Sequence, residues 1–553
     1  MVSRPRGYPV VLTADRTLMS EYRGGIFLGF SACIPDGIVP EWMYFGLFCP
    51  PIDVNSDGSV PVAPCGTRKL EAALLDAGFA RDEIIVAHPE HLSKVIGPDT
   101  KILGITENDP LGIGPATSTF TQILSGEPYM RIKFREVLSH EAVRKYKPRI
   151  VVGGPGSWQL WNPEVRKSMG IDCVVMGEAE KVAPQLFRKI MAGETVPTQV
   201  MGEVTPIEDV SRLKGATVDG IVEIARGCGR GCNFCVPTLA KFRCLSVDQI
   251  LADVDVNIAA GRQPLLHAED VLRYGAKGVD VNPDKVLDLF RKVSQRPGVT
   301  TVGISHFALA SALSAPQVIE EIARMLELTP RKWISGQTGI ETASPALMTK
   351  FMAGKCRPYR PEQWADVVVQ SFGLLEDNYW LPCGTIIMGL PGETEKDAAM
   401  TLELMDRISG YKSLVVPLFF VATGDLEEGE SFTLARMTHT HAELFLKCWE
   451  HDLHWARQII PEWGDSAIRN HLVMPFLKLV LGFGISEVEE LIEVCKEDYD
   501  YDVNAMLAGH RRNEFSMKPI TARSFLNMIR EKGRRNGVLR PESPPEAEAS
   551  AAR

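Results

Sequence analysis

Short β-branched runs, each ending in glycine or polar residues and each followed by a helix-length stretch, constrain this chain more than any other feature. In the first region the runs occupy residues 9–13, 83–87, 101–105, 149–152 and 172–176, with helical segments at 67–77, 139–146 and 181–192. Strands separated by helices cannot close tight hairpins; they pair in parallel and are covered on both faces by the crossovers. A second region repeats the pattern six times, with strands at 221–225, 264–267, 300–305, 333–338, 384–388 and 414–421. Helical segments at 247–259, 283–294, 316–326, 361–375 and 393–408 lie between them. Six units are too few for a closed eight-stranded barrel and enough for a curved, partly open one. Beyond residue 430, apolar residues at three- and four-residue spacing predict helices over 438–460, 467–481 and 487–496. The expected fold is α/β: a parallel-sheet domain over 1–205, a partial (β/α)6 barrel over 206–425 and a helical region over 426–530. A linker-like stretch at 198–219 joins the first two, and an Arg-, Glu-, Pro- and Ala-rich tail at 531–553 is expected to be disordered.

A formal charge of -10 over 553 residues argues against a general nucleic-acid or anionic-membrane surface. The amino terminus lacks the apolar core of a signal peptide, and the most apolar later stretch, 471–485, is too short and interrupted to span a bilayer. The expected compartment is the cytoplasm, with no membrane partner. Twelve cysteines, nine scattered and three clustered, fit a reduced protein with one metal site and not a disulfide scaffold.

The clustered three are Cys228, Cys232 and Cys235, in a glycine-rich loop after the first strand of the second region. Soft thiolates at that spacing suit an iron-sulfur cluster, and three of them leave one iron of a 4Fe-4S cube open to an outside ligand. Active sites of such barrels lie at the carboxyl ends of the strands. There Glu269 and Asp270 follow the second strand, Ser305 and His306 the third, Glu341 the fourth, and the Gly-Leu-Pro-Gly-Glu-Thr run at 389–394 the fifth. In the first region three strands run into glycine-rich polar ends at 106–120, 153–158 and 177–180. Together they point to one extended ligand with phosphate or amide groups, approached closely by backbone; each alone reads equally well as a tight turn.

The cysteine loop, with Phe234 just before the last cysteine, resembles the cluster motif of the radical S-adenosylmethionine enzymes. The Thr-Gly-Ile-Glu-Thr-Ala-Ser-Pro run at 338–345 and the Ile-Met-Gly-Leu-Pro-Gly-Glu-Thr run at 387–394 resemble that superfamily's fourth- and fifth-strand motifs. The first region, with Gly153, Gly154 and the Val-Met-Gly-Glu run at 175–178, resembles the Rossmann-like cobalamin-binding domain fused to this barrel in the cobalamin-dependent methyltransferases. The resemblance covers about residues 9–425. It implies S-adenosylmethionine on the open iron, cleaved by a cluster electron to a 5'-deoxyadenosyl radical. It also implies methyl transfer from methylcobalamin to a substrate carbon radical.

By position, the resemblance places Phe234 near the adenine, Glu269 near the methionine amino group, Ser305 or Glu341 near the ribose or carboxylate, and Gly389 in the same site. Strand two ends in Leu-His-Ala-Glu at 266–269 where the family usually has Gly-Gly-Glu, and Asp270 reads equally well as a surface residue or as part of the site. Cobalamin is expected over Thr106, Leu111, Gly112, Ser118, Thr119, Gly153, Gly154, Gly156, Trp158, Gly177 and Glu178. No Asp-x-His-x-x-Gly string occurs before residue 210, so no histidine of that motif is expected on the cobalt. The loop at 109–114 is expected under the lower face. The nearest resemblance is to the archaeal glutamine C-methyltransferases that act on the catalytic α subunit of methyl-coenzyme M reductase. It implies a protein or peptide substrate and an electron donor such as ferredoxin or flavodoxin, and no nucleic acid.

The competing expectation is a tRNA methylthiotransferase, which needs a second cluster; Cys33, Cys49 and Cys65 are the thiols available for it, at wide spacing without a ligand motif. A non-catalytic electron carrier or cobalamin carrier is a third, against which the open coordination site argues. His439, His441, His451 and His454 mix helix faces and are not expected to bind metal. Cys244, Cys356 and Cys383 read as packed thiols, and Trp158 and Trp161 as either corrin neighbours or sheet packing.

Overall fold

The computed structural model describes residues 6–22, 32–38, 40–236, 241–467 and 473–511; the expected tail at 531–553 and residues 512–530 lie outside them. The chain divides into two compact units, Met1–Gln458 and Ile459–Arg553. No helix among the described residues is long and apolar enough to cross a membrane.

In the first unit, six parallel strands form one sheet. They are β1 (Val10–Thr13), β2 (Ile84–Val86), β3 (Ile102–Thr106), β4 (Arg149–Gly153), β5 (Cys173–Met176) and β6 (Gln199–Met201), in the order β2-β1-β3-β4-β5-β6. Alternate side chains feed two cores, as a pleat requires. Val10, Leu12, Ile102 and Val175 pack with Leu186 and Phe187 of α4 (Ala183–Met191), while Val11, Leu103, Val152 and Val174 pack with Phe134 on the other face. Burial on both faces is why the strands read as continuous apolar runs. Strand β6 and a further strand at Ala216–Thr217, paired with Val62–Ala63, lie inside the stretch read as a linker. Edge residues that are only half-buried gave no alternating pattern there.

The second region supplies six more parallel strands: β7 (Ile221–Glu223), β8 (Leu265–His267), β9 (Gly303–Ile304), β10 (Ile334–Glu341), β11 (Trp380–Met388) and β12 (Leu414–Phe419). They form two three-stranded sheets, β7-β8-β9 and β10-β11-β12, joined by a parallel bridge between His306 and Gln337, which makes a six-stranded arc. The helices between them start where their caps dictate. Ser246 and Gln249 close a capping box at Val247–Ala259, and Thr394 and Asp397 close another at Glu395–Ile408. Toward the carboxyl terminus, helix His439–Ala467 runs through Pro461, and Val473–Glu497 is one helix where the spacing predicted two.

The two strand systems meet through side chains. Thr119 Oγ1, on helix Pro115–Leu124, accepts the backbone N–H of Phe419 on β12 at 2.8 Å. Lys69 Nζ pairs with Asp253 Oδ2 at 2.7 Å, with both side chains buried.

Candidate functional site

Strand β7 delivers the chain to the cysteine loop, whose conformation is held from outside. Arg273 Nη1 donates to the Cys228 carbonyl at 2.6 Å, the Asn233 N–H to the Phe351 carbonyl at 2.9 Å, and Thr423 Oγ1 to the Phe234 carbonyl at 2.8 Å. Gly424 lies so close that a Cβ there would sit 2.7 Å from the Asn233 carbonyl oxygen. Cys232 is buried, while Cys228 and Cys235 are half-buried. Burial pushes the Cys232 thiol up to about 11, and the Lys355 ammonium works against that rise. Among the described residues no three His, Cys, Asp or Glu side chains converge on a single ion. A cube binds each thiolate through a different iron, so its ligands need a shared loop and not a shared point.

Lys355 links this loop to the ends of β8 and β10. Its Nζ donates to Glu341 Oε1 at 2.8 Å; burial opposes its charge, but Glu341 and Cys232 outweigh burial and hold the ammonium up. Glu341 has φ +66°, the left-handed region, and accepts Thr385 Oγ1 from β11 at 3.2 Å through its other oxygen. Only glycine fits at 339, since a Cβ there would fall on both Glu341 Oε1 and Lys355 Nζ. Glu269 is half-buried and its carboxyl is pushed up by burial, with His267 and Lys355 acting the other way. His267 Nδ1 lies 2.9 Å from Ser305 Oγ. Cys232, Cys235, Glu269, Ser305 and Glu341 are therefore brought to one end of the arc. Gly389 lies on the same end, in a turn closed by its N–H donating to Glu393 and packed against Phe432.

Asp270, for which the sequence left a surface role and a site role equally open, is 1 % exposed and paired with Arg230 inside the cysteine loop at 3.0 Å. Charge spacing along the sequence does not reveal a partner 40 residues away. Lys355, Arg230, Arg273 and Thr385 were not anticipated either. Thr385 faces the hollow side of β11 at an alternating half-buried position, the one local signal among them.

In the first region the glycine-rich ends have packing reasons of their own. A Cβ on Gly154 or Gly156 would strike the backbone of Glu107 or Asn108, and one on Gly112 would strike Pro128. The Gly153 carbonyl accepts the Glu107 N–H at 2.9 Å, and Thr106 Oγ1 meets Thr67 Oγ1 at 2.5 Å. Leu111 N–H donates to Gln159 at 2.8 Å, and Ser118 Oγ accepts Gln122 Nε2 at 3.2 Å. Trp158 is half-buried, and Trp161 packs on the sheet core. Gly177 leads into Glu178, which accepts from Arg226 at 2.9 Å and from Arg243, both beside the cysteine loop. Burial opposes the Glu178 charge, but Arg243, the Thr205 N–H and Arg226 outweigh it and hold its carboxyl low.

One buried polar group in this region lies where the strand order reverses. Strand β1 has β2 on one side and β3 on the other, so the connections reverse between β1 and β3, the place where open α/β sheets take ligands. There Thr17 Oγ1 is buried without a hydrogen-bond partner, beside the buried Asp15 and Glu107 carboxyls, which lie within hydrogen-bond reach of each other. Burial pushes the Asp15 carboxyl up, and burial with the Asp15 charge pushes Glu107 well up.

No protein-family model matches the chain. Among curated proteins it is similar to tRNA-2-methylthio-N(6)-dimethylallyladenosine synthases. That of Magnetococcus marinus is 26% identical over 233 residues, 41% of this chain and 50% of the relative; that of Bacteroides thetaiotaomicron is 25% identical over 280 residues, 49% and 58%. The chain thus spans about half the length of the curated relatives it matches. Among solved structures it is similar to the radical S-adenosylmethionine methyltransferase TsrM of Kitasatospora setae, at 14% identity. The form with tryptophan and a SAM analog bound gives a TM-score of 0.47 and covers 74% of this chain and 73% of that one. The form with cobalamin and a [4Fe-4S] cluster gives 0.48, 76% and 74%.

Proposed function

We propose that the chain is a cobalamin-dependent radical S-adenosylmethionine C-methyltransferase that methylates an unactivated sp3 carbon. The observation that carries this reading is the convergence of a three-cysteine loop with Glu269, Glu341 and Lys355 at the carboxyl end of the strand arc. An amino-acid headgroup on the iron left open would bring an ammonium and a carboxylate, for which Glu269 and Lys355 are the opposite charges on hand. Cys228, Cys232 and Cys235 would hold the cluster, Phe234 and Ser305 would flank the adenosine, and Glu341 would keep Lys355 aimed. The strand-order reversal beside Asp15, Thr17 and Glu107 is where open α/β sheets take ligands, and it is where cobalamin would bind. When bound, these groups supply hydrogen abstraction from a carbon and a methyl group to replace the hydrogen. The residues of this chain align them and keep water from the open position.

The substrate we propose is the α-carbon of a glutamine in the catalytic α subunit of methyl-coenzyme M reductase, presented as protein or peptide. Ferredoxin or flavodoxin would be the reductant and the cytoplasm the setting. Mass spectrometry of such peptides after anaerobic incubation with cobalamin, S-adenosylmethionine and reductant is expected to show a methyl gain. A gain that persists when Cys228, Cys232 and Cys235 are all replaced by Ala would overturn the mechanism.

The curated relatives favour tRNA methylthiolation as the second reading. It needs a further cluster, and the thiols available for one do not form a group of three: Cys33 and Cys49 are neighbours, and Cys65 lies apart from them. Cys49 Sγ lies 3.0 Å from Tyr22 Oη and 3.3 Å from Tyr44 Oη, whereas Cys65 sits among Lys69, Glu223 and Asp253.

A further inference from the structure

Arg230 stands between two of the clustered cysteines and is 6% exposed. Its Nη1 donates to the carbonyls of Gly354, Lys355 and Arg357 at 3.2, 3.1 and 3.2 Å. Its Nη2 donates to Asp270 Oδ2 at 3.0 Å and to Ser311 Oγ at 2.7 Å, and Ser311 in turn donates to Asp270 Oδ2 at 2.7 Å. Asp270 Oδ1 accepts the Ala308 N–H at 3.2 Å. Gly354 is pressed so closely on the Arg230 carbonyl that a Cβ there would collide with it. One guanidinium thus ties three segments together: the cysteine loop, the peptide that carries Lys355, and the residue next to Glu269.

We propose that Arg230 is a positioning residue that makes the cysteine loop, Glu269 and Lys355 one rigid body, so that the open coordination position faces its two polar receivers. The inference rests on the radical S-adenosylmethionine reading above. A buried ion pair is an inefficient source of stability, because desolvation offsets the attraction, and well-packed apolar residues often replace such pairs without loss. What this one adds is geometry at both ends of the fork. The planar guanidinium reaches carbonyls on one side and a carboxylate on the other, which a lysine ammonium cannot do from one place. Arg273 supports the same frame from the same segment as Asp270, through its 2.6 Å bond to the Cys228 carbonyl.

The test uses the full chain, reconstituted anaerobically with iron and sulfide, and reads iron content, thermal unfolding and the EPR spectrum of the reduced cluster during titration with S-adenosylmethionine. Arg230→Lys, Arg230→Gln and the double variant Arg230→Met/Asp270→Leu are compared with the parent. Supporting residues around a metal centre typically carry 10–100-fold effects, so the single variants are expected to keep the parent's iron but to need at least about tenfold more S-adenosylmethionine for the same spectral change. The double variant, which removes both members of the Arg230–Asp270 pair, is expected to recover the unfolding temperature without recovering that response. Variants that respond at the parent's S-adenosylmethionine concentration overturn the proposal. So does a double variant in which fold, iron and response return together, since that is a purely structural role. A parent chain that holds the cluster but shows no spectral response defeats the underlying reading instead, which separates the two failures.

Discussion

Lys355 and Glu341 form an ion pair beside the cysteine loop. Lys355 Nζ is 2.8 Å from Glu341 Oε1, with both side chains mostly buried. Lys355→Met would leave a buried carboxylate uncompensated and is expected to lower unfolding free energy by about 3 kcal/mol, measurable by urea denaturation. His451 supplies a prediction of pH dependence away from the site. It is 6% exposed, with Nε2 2.8 Å from Ser413 Oγ, and burial and the charge of His454 push its ring down to about 4. The unfolded ring titrates near 6.5, so between these values the unfolded chain binds more protons and stability falls as pH falls. The loss from pH 7 to pH 5 is expected to be about 2 kcal/mol, and His451→Gln should remove it from a pH series of denaturation curves. Cysteine spacing marked the loop of Cys228, Cys232 and Cys235, and strand-end position marked Glu269, Ser305 and Glu341, which the fold gathers at one end of the arc. Lys355 and Arg230 escaped because no local pattern marks them; partner choice across 40 residues is a property of the folded arc.

At the scale of elements, strand β10 and the loop between β5 and its following helix bear most of the site's load. Strand β10 must end with Glu341 in the left-handed region and with nothing but hydrogen at Gly339. Gly339→Ala is therefore expected to displace the Glu341–Lys355 pair and weaken S-adenosylmethionine binding by about tenfold, equivalent to about 1.4 kcal/mol, in a binding titration. The loop after β5 docks by charge: Arg226 holds Glu178, Glu180 and Glu223, with side chains only 11–21% exposed. Burial opposes the charge on Glu223, but Arg226 outweighs it and keeps its carboxyl low. Arg226→Met would leave Glu178 to Arg243 but take the paired cation from Glu180 and Glu223, and is expected to cost about 3–5 kcal/mol in denaturation experiments. The glycines at the ends of β3, β4 and β5 were read as marking an extended ligand. At Gly154, Gly156 and Gly112 the packing alone requires glycine, so their presence says little about what the loops bind.

Across the whole molecule, alternation of strand and helix was sufficient to read both parallel systems, because strands buried on both faces leave uninterrupted apolar runs. It was insufficient for strand β6 and for Ala216–Thr217, short pieces whose pairing depends on neighbours far along the chain. The two parallel systems share one compact unit, Met1–Gln458, joined by Thr119 to Phe419, Lys69 to Asp253 and Glu178 to Arg243. A cluster in the arc and cobalamin in the crevice between β1 and β3 would thus be held within one body. Elemental analysis of iron and cobalt per chain, after anaerobic reconstitution with iron, sulfide and hydroxocobalamin and removal of unbound material, examines that arrangement directly. About four irons and about one cobalt per chain are expected, and about eight irons with no cobalt would contradict the proposed function in favour of a two-cluster methylthiotransferase.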